Sequence, residues 1–399
     1  MKRRARLLAK LLLTVLLLLG CSAAGGTDNV EMNLPDEPRT EASAPLEKPM
    51  ESAPDRAAAE LTVTVTIEDG GLLSGGERRV LEDFMIRWYR SVGSFEIQDF
   101  GPVFRGEEEV LRHAASCRTQ AAIRAAAPED LHMTDCQVTL TVTDVSWDII
   151  SAKETTVMQF AGLPGIRSEL FDLPHIFAVT GEGETCRILY HEADDNPYSS
   201  FSYDEETGVD SNFDDIMANI AQRRALPREP AAELKCDHPY NRQAALQYML
   251  TYADHRNEEW HAYDDEGGNC MNFGSQVLLA GGIPMDYSGY DCWYSDGEWG
   301  VTDTFVNVGW FMEYAECNTG YGLVADADAN YYSGEVGDLL LVGIDGLHHT
   351  TEICGLVRDE AGQTIDYLLC SNTTNYRNFP AGAYYYTGHW LVKIYGWND

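Results

Sequence analysis

The sequence predicts an α+β protein, and three of its segments lead to this class. The segment "LTVTVTI" at 61–67 alternates polar and apolar residues, as a half-buried strand does. Apolar residues in "GERRVLEDFMIRWYRSVGSF", at 76–95, recur at the spacing of one helix face. Further along, "DLLLVGI" at 338–344 is an apolar run followed by a "DG" turn, which is typical of a buried strand. In the first half of the chain, helices precede a run of strands, which favours α+β.

The first 21 residues predict an export signal. Positive charges cluster at 2–10, and the apolar run that follows, at 11–19, is too short to span a membrane readily. Its end, "LLGC", resembles a bacterial lipobox, which implies cleavage before Cys21 and lipidation of the Cys21 thiol. We therefore expect a lipid anchor at the extracellular face of the cell membrane. The alternative is a secreted chain cleaved near residues 22–24.

Residues 22–60 predict a disordered, acidic and proline-rich tether. The segment contains no aromatic residue and no apolar period, so it cannot form a core. The whole chain has a formal net charge of −36, which argues against nucleic acid as an electrostatic partner. The remaining length, about 340 residues, is enough for two domains.

Residues 61–232 predict a smaller α+β accessory domain that precedes the C-terminal domain. A second helix is expected in "EEEVLRHAASCRTQAAIRAAA", at 107–127. Strands are expected at 136–149, 155–160, 175–180 and 185–194. This order resembles the cone-shaped NTF2-like fold, with helices on one face of a sheet. His175 and His191 lie on these strands, where we expect structural roles.

Residues 233–399 predict a second domain built around a cysteine-bearing helix. An amphipathic helix is expected at 240–257, and another begins at Cys270, directly after "GGN". Gly281 and Gly282 are expected to end it as a left-handed C-cap. In the first helical turn, free backbone N–H groups and the helix dipole favour a thiolate and a developing oxyanion.

A base and an orienting group lie on the strands that follow. The segment "HTTEICGLV", at 349–357, is predicted to be the returning strand of a hairpin, with His348 and His349 at its start. Because side chains alternate along a strand, only one of the two histidines can meet Cys270. Asn372 lies near the end of the next strand, where its amide can accept the second N–H of the base. Together these residues are candidates for nucleophilic catalysis.

The second domain resembles a known family. Similar features are the helix opening "GNCMNFGSQ", "GDLLL" before a hairpin and histidine, the tyrosine-rich helix "YNRQAALQYMLTYADHRN", and the aromatic patches "CWY", "GEW" and "GWF". They resemble the putative amidase domain of the papain-like cysteine peptidase group, which is related to the NlpC/P60 and CHAP domains of wall-cleaving enzymes. The resemblance covers residues 239–397 and implies a papain-like fold.

This resemblance implies a cysteine amidase or peptidase that uses no cofactor and no metal. The implied site consists of Cys270 as nucleophile, His349 as base with His348 as the alternative, Asn372 as partner of the base, and Asn269 and Asn272 as oxyanion or supporting groups. The family commonly has aspartate at the position of Asn269 and often histidine at that of Asn372. The implied substrate is a peptide or a cell-wall amide. The expected surface location suggests that it is a peptidoglycan peptide.

Two alternatives compete with this interpretation. His348, His349, Glu352 and His389 are metal-ligand types, but side chains that alternate along a strand diverge. The segment "DADAN", at 326–330, begins like a calcium loop but lacks its glycine and final glutamate, so we expect an acidic turn. The second alternative is a non-catalytic lipoprotein that binds a wall peptide or protein partner through an aromatic groove. The presence of both a cysteine and a histidine favours the enzyme.

Overall fold

A computed structural model describes residues 61–193, 203–229, 231–288, 292–297, 300–344 and 346–399. The predicted signal peptide with Cys21 and the predicted tether lie outside these residues. Within the described ranges, no helix is both long enough and apolar enough to cross a membrane.

Seven α-helices and twelve β-strands make up the described part of the chain. The helices are α1 (Gly75–Ser94), α2 (Glu107–Ala125), α3 (Phe213–Ala225), α4 (Arg242–Tyr252), α5 (Cys270–Ala280), α6 (Asp303–Val306) and α7 (Val308–Cys317). The strands are β1 (Thr62–Glu68), β2 (Met133–Ser146), β3 (Ile149–Phe160), β4 (Ser168–Thr180), β5 (Arg187–Ala193), β6 (His238–Pro239), β7 (Gly322–Ala329), β8 (Leu339–Gly343), β9 (His349–Arg358), β10 (Thr364–Ser371), β11 (Asn375–Pro380) and β12 (Gly388–Asn398).

These twelve strands form one sheet. Its order is β1-β2-β3-β4-β11-β10-β9-β8-β12-β6, with β5 beside β4 and β7 beside β12. β1 and β2 run parallel, whereas the other neighbours run antiparallel. A mostly antiparallel sheet with helices packed against it confirms the predicted α+β class. β4 pairs with β11 across the boundary predicted near residue 232, so both predicted domains contribute to the same sheet. The division into two domains stays a prediction.

The first half of the sheet is covered by α1 and α2, close to the positions expected from periodicity. The buried face of α1 includes the apolar residues Val80, Leu81, Phe84, Met85 and Trp88. The strand expected at 136–149 is interrupted, because Trp147 and Asp148 both have positive φ (55° and 60°) and turn the chain from β2 into β3. The expected acidic turn at 326–330 was also wrong: residues up to Ala329 belong to β7, which pairs with β12.

Helix α5 is almost entirely buried and packs against β9. A Cβ added to Gly274 would lie 3.1 Å from a side-chain carbon of Thr350 and 3.2 Å from a carboxyl oxygen of Glu352. Helix and strand approach this closely because residue 274 has no side chain. The side chains of Thr350 and Glu352 therefore face α5.

The glycine pair that ends α5 serves two different purposes. Gly282 has the left-handed backbone (φ 93°) expected of a C-cap. Gly281 does not, but a Cβ there would lie 1.9 Å from a ring carbon of Tyr240. The sequence pattern thus predicted the helix end correctly, while one of the two glycines is required for packing.

Candidate active site

Cys270 is the first residue of α5 and is buried, so its predicted position in the first helical turn is confirmed. Gly267 and Gly268 lead into the helix with φ values of 126° and 120°, which other residues rarely adopt. The side chain of the N-cap residue, Asn269, makes no capping hydrogen bond. The first N–H groups of the helix are therefore not used by a side-chain cap.

Backbone groups surround the Cys270 sulfur. Hydrogen bonds from the backbone of Thr350, Met271 and Cys270 itself lower the pKa of the thiol. Burial has the larger effect and the nearby Glu352 acts in the same direction, so the pKa of Cys270 is raised to about 11. In the site without substrate, Cys270 is therefore a neutral thiol at pH 7.

Three buried asparagines form a hydrogen-bonded network behind Cys270. Asn269 Nδ2 donates to Asn372 Oδ1 (3.0 Å), and Asn272 Nδ2 donates to Asn269 Oδ1 (2.8 Å). Asn372 Nδ2 donates in turn to the carbonyl oxygen of Tyr252 at the end of α4 (3.2 Å). The network joins the start of α5 to the end of β10. Asn372 is thus brought to Asn269, and its amide is not bonded to a histidine in the described part of the chain.

Two consecutive threonines after Asn372 have a left-handed backbone. The φ angles of Thr373 and Thr374 are 62° and 63°, a conformation that costs about 1–3 kcal/mol for each such residue. Thr373 Oγ1 accepts a hydrogen bond from the backbone N–H of Asn269 (2.5 Å). The strained segment therefore holds the residue that precedes Cys270. Nothing in the sequence predicted this contact, since neither threonine is a residue that favours positive φ.

The two histidines at the start of β9 occupy different sides of the strand. Because Thr350 faces α5, alternation directs His349 to the opposite face. There its ring lies 6.1 Å from that of Tyr384, with 17° between the planes. His349 Nε2 is buried without a hydrogen-bond partner in the ranges that the structure describes, and burial lowers the pKa of His349 to about 4. His348 directly precedes β9, is exposed and also lies near the cavity that His349 borders. Within the described residues, neither imidazole is hydrogen-bonded to the Cys270 thiol.

The residues considered as metal ligands do not converge. Among the described residues, both carboxyl oxygens of Glu352 are buried without a hydrogen-bond partner, and burial raises the pKa of Glu352 well above its usual value. His389 hydrogen-bonds Asn219 on α3 instead (3.3 Å). Across the ranges that the structure describes, no group of three or more histidine, cysteine or acidic side chains is placed to hold a metal ion.

An aromatic cavity of about 500 Å³ lies beside the two histidines. We use this name for the space whose walls include Trp88, Gln120, His349, Tyr376, Phe379 and Tyr384. Its walls come from α1, α2, β9, β11 and the segment before β12, which are far apart in sequence. Sequence reasoning missed the cavity for this reason. Thr373 also lines it, so the cavity and the surroundings of Cys270 share a wall.

Fold and site together define an α+β protein with a buried cysteine at a helix N-terminus, beside a strand that begins with two histidines. Residues 239–393, which build this site, match the model of a family described as "Putative amidase domain". The match confirms the predicted amidase resemblance for this segment and indicates amide hydrolysis at that coarse level. The segment contains Cys270, both histidines and Asn372. Comparisons with curated proteins and with solved structures each found no match.

Proposed function

We propose that this chain is a cell-surface cysteine amidase or peptidase that hydrolyses an amide bond with the Cys270 thiol. The position of that thiol carries the proposal: it lies at the start of α5, against backbone N–H groups, inside the segment that matches the amidase family. N–H groups placed in this way stabilise the oxyanion that forms when a thiolate attacks an amide carbonyl. A papain-like fold and kinship with NlpC/P60 domains are parts of the same proposal.

His348 is the base that the geometry favours. Thr350 faces α5, so alternation directs His349 to the other side of β9, whereas His348 precedes the strand and is exposed. We therefore assign the base to His348, the alternative in the sequence prediction, and place His349 in the cavity wall. Asn372 is a positioning residue that acts through Asn269.

The proposed reaction starts from the neutral Cys270 thiol. His348 accepts the Cys270 proton as the sulfur attacks the carbonyl carbon, and backbone N–H groups bind the oxyanion. The imidazolium gives its proton to the leaving nitrogen as the C–N bond breaks, which leaves a thioester. The imidazole then deprotonates a water molecule that hydrolyses the thioester and releases the acid and the thiol.

The proposed location and substrate class depend on the N-terminal residues. The charged and apolar segment ending in "LLGC" supports export, lipidation of Cys21 and anchoring at the outer face of the membrane. The acidic segment at 22–60 supports a tether that gives the enzyme reach. A peptide or a cell-wall amide, such as a peptidoglycan peptide, is the substrate class available at that location.

A second candidate is a lipoprotein that binds a wall peptide or protein partner without cleaving it. Two observations favour it: the aromatic cavity, and the lack of a hydrogen bond from the Cys270 thiol to either histidine within the described residues. The two candidates differ in one measurable property, the reactivity of the thiol toward an acyl donor.

Acylation by p-nitrophenyl acetate tests the proposal with an internal control. Cys317 is an exposed free thiol, whereas Cys270 is only 8 % exposed. In the full chain in detergent, mass spectrometry of peptides should show acetylation of Cys270 before Cys317, and Cys270→Ser should abolish the burst of p-nitrophenol. Cys317→Ser should leave the burst unchanged. Faster labelling of Cys317, or none of Cys270, would refute catalysis and favour the binding protein.

A further inference from the structure

The walls of the aromatic cavity present stacked rings. The rings of Tyr376 and Phe379 lie 4.1 Å apart at 27°, and Tyr384 meets Phe379 edge-on at 5.9 Å. Trp88 of α1, only 2 % exposed, closes another side. A volume of about 500 Å³ is within the range of small-molecule sites and exceeds any single side chain. These walls favour a large apolar group.

Two polar atoms in this apolar space lack partners. Gln120 of α2 is 2 % exposed, lines the cavity, and its Nε2 has no hydrogen-bond acceptor among the described residues. In the same part of the chain, His349 Nε2, buried in the wall, has no partner either. A buried amide donor without an acceptor is costly, so native proteins rarely leave one unless something else supplies the acceptor. The matching group for an amide N–H is a carbonyl oxygen.

The charges at the cavity favour an uncharged ligand. Arg124 and Glu192 both line the cavity and are of opposite sign. Away from these two side chains the walls are mostly aromatic and aliphatic, so an ionised group placed there would lose its hydration. An apolar group with a neutral carbonyl therefore matches the lining of the cavity better than an acid or an amine does.

The cavity and the surroundings of the nucleophile have bordering residues in common. Thr373 lines the cavity, and its hydroxyl accepts the N–H of Asn269, the residue before Cys270. His348 and His349 also line it and directly precede Thr350, whose backbone N–H reaches the Cys270 sulfur. These shared residues support the inference that a group in the cavity and an amide at the thiol belong to one substrate.

We propose that the aromatic cavity is the specificity pocket of the amidase and accepts a large, uncharged apolar side chain of the amide substrate. A carbonyl oxygen of the substrate accepts a hydrogen bond from Gln120 Nε2. This assignment rests on the proposed function, because it names the substrate class for the same site. It goes beyond that proposal by predicting that aromatic amides are preferred over small or acidic ones.

Calorimetric titration of the full-length Cys270→Ser variant tests the pocket without turnover. The probes are N-acetyl-L-phenylalaninamide, N-acetylglycinamide and N-acetyl-L-glutamic acid amide. The expected result is that the phenylalanine amide binds at least about tenfold more tightly than either of the others. Equal affinities, or tighter binding of the glutamic acid amide, would overturn the proposal.

The variant Gln120→Met, made in the same background, tests the hydrogen bond. It should weaken binding of the phenylalanine amide by about three- to tenfold while leaving Tm unchanged or higher, since it removes an unpartnered buried donor. The control Gln137→Met changes an exposed glutamine on β2 and should alter neither. An unchanged Kd in Gln120→Met, or a clear fall in Tm, would refute the assigned contact.

The two proposals fail in different ways. Selective binding of the phenylalanine amide without acetylation of Cys270 would support the proposed pocket as a binding site and refute the amidase proposal. Acetylation of Cys270 without a preference for the aromatic amide would support the amidase proposal and refute the proposed specificity pocket.

Discussion

Burial shifts the pKa of the Cys270 thiol, the Glu352 carboxyl and the His349 imidazole in the direction that favours the uncharged form. Burial raises the pKa of Cys270 to about 11, raises that of Glu352 well above its usual value and lowers that of His349 to about 4. A resting thiolate–imidazolium pair is therefore not expected. In the proposed mechanism, deprotonation of Cys270 is coupled to its attack on the substrate, so loss of the base is expected to lower kcat strongly.

Separate alanine substitutions distinguish the roles of the two histidines. With N-acetyl-L-phenylalanine p-nitrophenyl ester, His348→Ala should lower kcat by about 100-fold or more, because the general base is lost. His349→Ala should raise KM several-fold with kcat changed by less than about threefold, because it alters only the cavity wall. Steady-state kinetics in the wild type and both variants supply the measurement. A large fall in kcat for His349→Ala, with His348→Ala near normal, would restore the base originally predicted from the sequence.

Among the elements, those with a strong periodic pattern were predicted well. Helices α1, α2, α4 and α5 bury a face that local spacing reveals, and the α5 cysteine was located correctly. The turn at Trp147–Asp148 was missed because neither residue is glycine, although both have positive φ. The backbone of Thr373–Thr374 was missed for the same reason: contacts from other elements impose it.

The strain at Thr374 predicts an unusual gain in stability. Glycine adopts φ 63° without steric cost, so Thr374→Gly should stabilise the fold by about 0.5–2 kcal/mol after its own entropy cost is subtracted. Urea unfolding gives the change in the free energy of unfolding. As a control, Thr64→Gly replaces an exposed threonine in β1 and should destabilise the fold by about 0.5–1 kcal/mol. If both substitutions destabilise equally, the left-handed segment is not strained.

At the scale of the whole molecule, a buried chain of hydrogen-bonded histidines links the helices and the strands in the N-terminal half of the described residues. His113 Nε2 meets His191 Nδ1 at 2.9 Å, His191 Nε2 meets His175 Nδ1 at 2.9 Å, and His175 Nε2 meets Glu154 at 2.9 Å. Tyr89 of α1 donates to the same carboxylate. The chain therefore runs from α2 through β5, β4 and β3 to α1.

The acceptor oxygens at the two ends of the histidine chain, on Glu109 and Glu154, fix the direction of these hydrogen bonds. His113 Nδ1 lies 2.8 Å from the carbonyl oxygen of Glu109, which can only accept, so His113 donates there. A neutral His113 then accepts from His191, and a neutral His191 accepts from His175. Burial tends to raise the pKa of Glu154, but hydrogen bonds from His175 and its neighbours outweigh it and keep the group ionised.

Sequence reasoning recognised His175 and His191 as strand histidines but found no partner for either. Their partners come from α2 and β3, and only the folded sheet brings these segments together. The same limit applies to the candidate site. Local pattern located Cys270 and the histidine pair, whereas the side of β9 on which each histidine lies depends on packing against α5.

The histidine chain predicts that the fold loses stability in mild acid. Burial lowers the pKa of His113 and His191 well below 6.5, so the folded state binds fewer protons than the unfolded state once the pH falls below about 6.5. Stability is then fully present above that pH and falls on acidification, by up to about 1.4 kcal/mol per pH unit for each histidine. Urea unfolding from pH 8 to pH 5 measures this slope.

Two substitutions assign that slope to the buried chain. His113→Gln should lower stability at pH 8, because it breaks the chain, but should also make the decline between pH 6.5 and pH 5 shallower, because one titrating group is gone. His132→Gln replaces a half-exposed histidine paired with Asp130 and should leave the slope near that of the wild type. A wild-type curve that is flat down to pH 5, or the same slope in His113→Gln, would show that these histidines do not control acid stability.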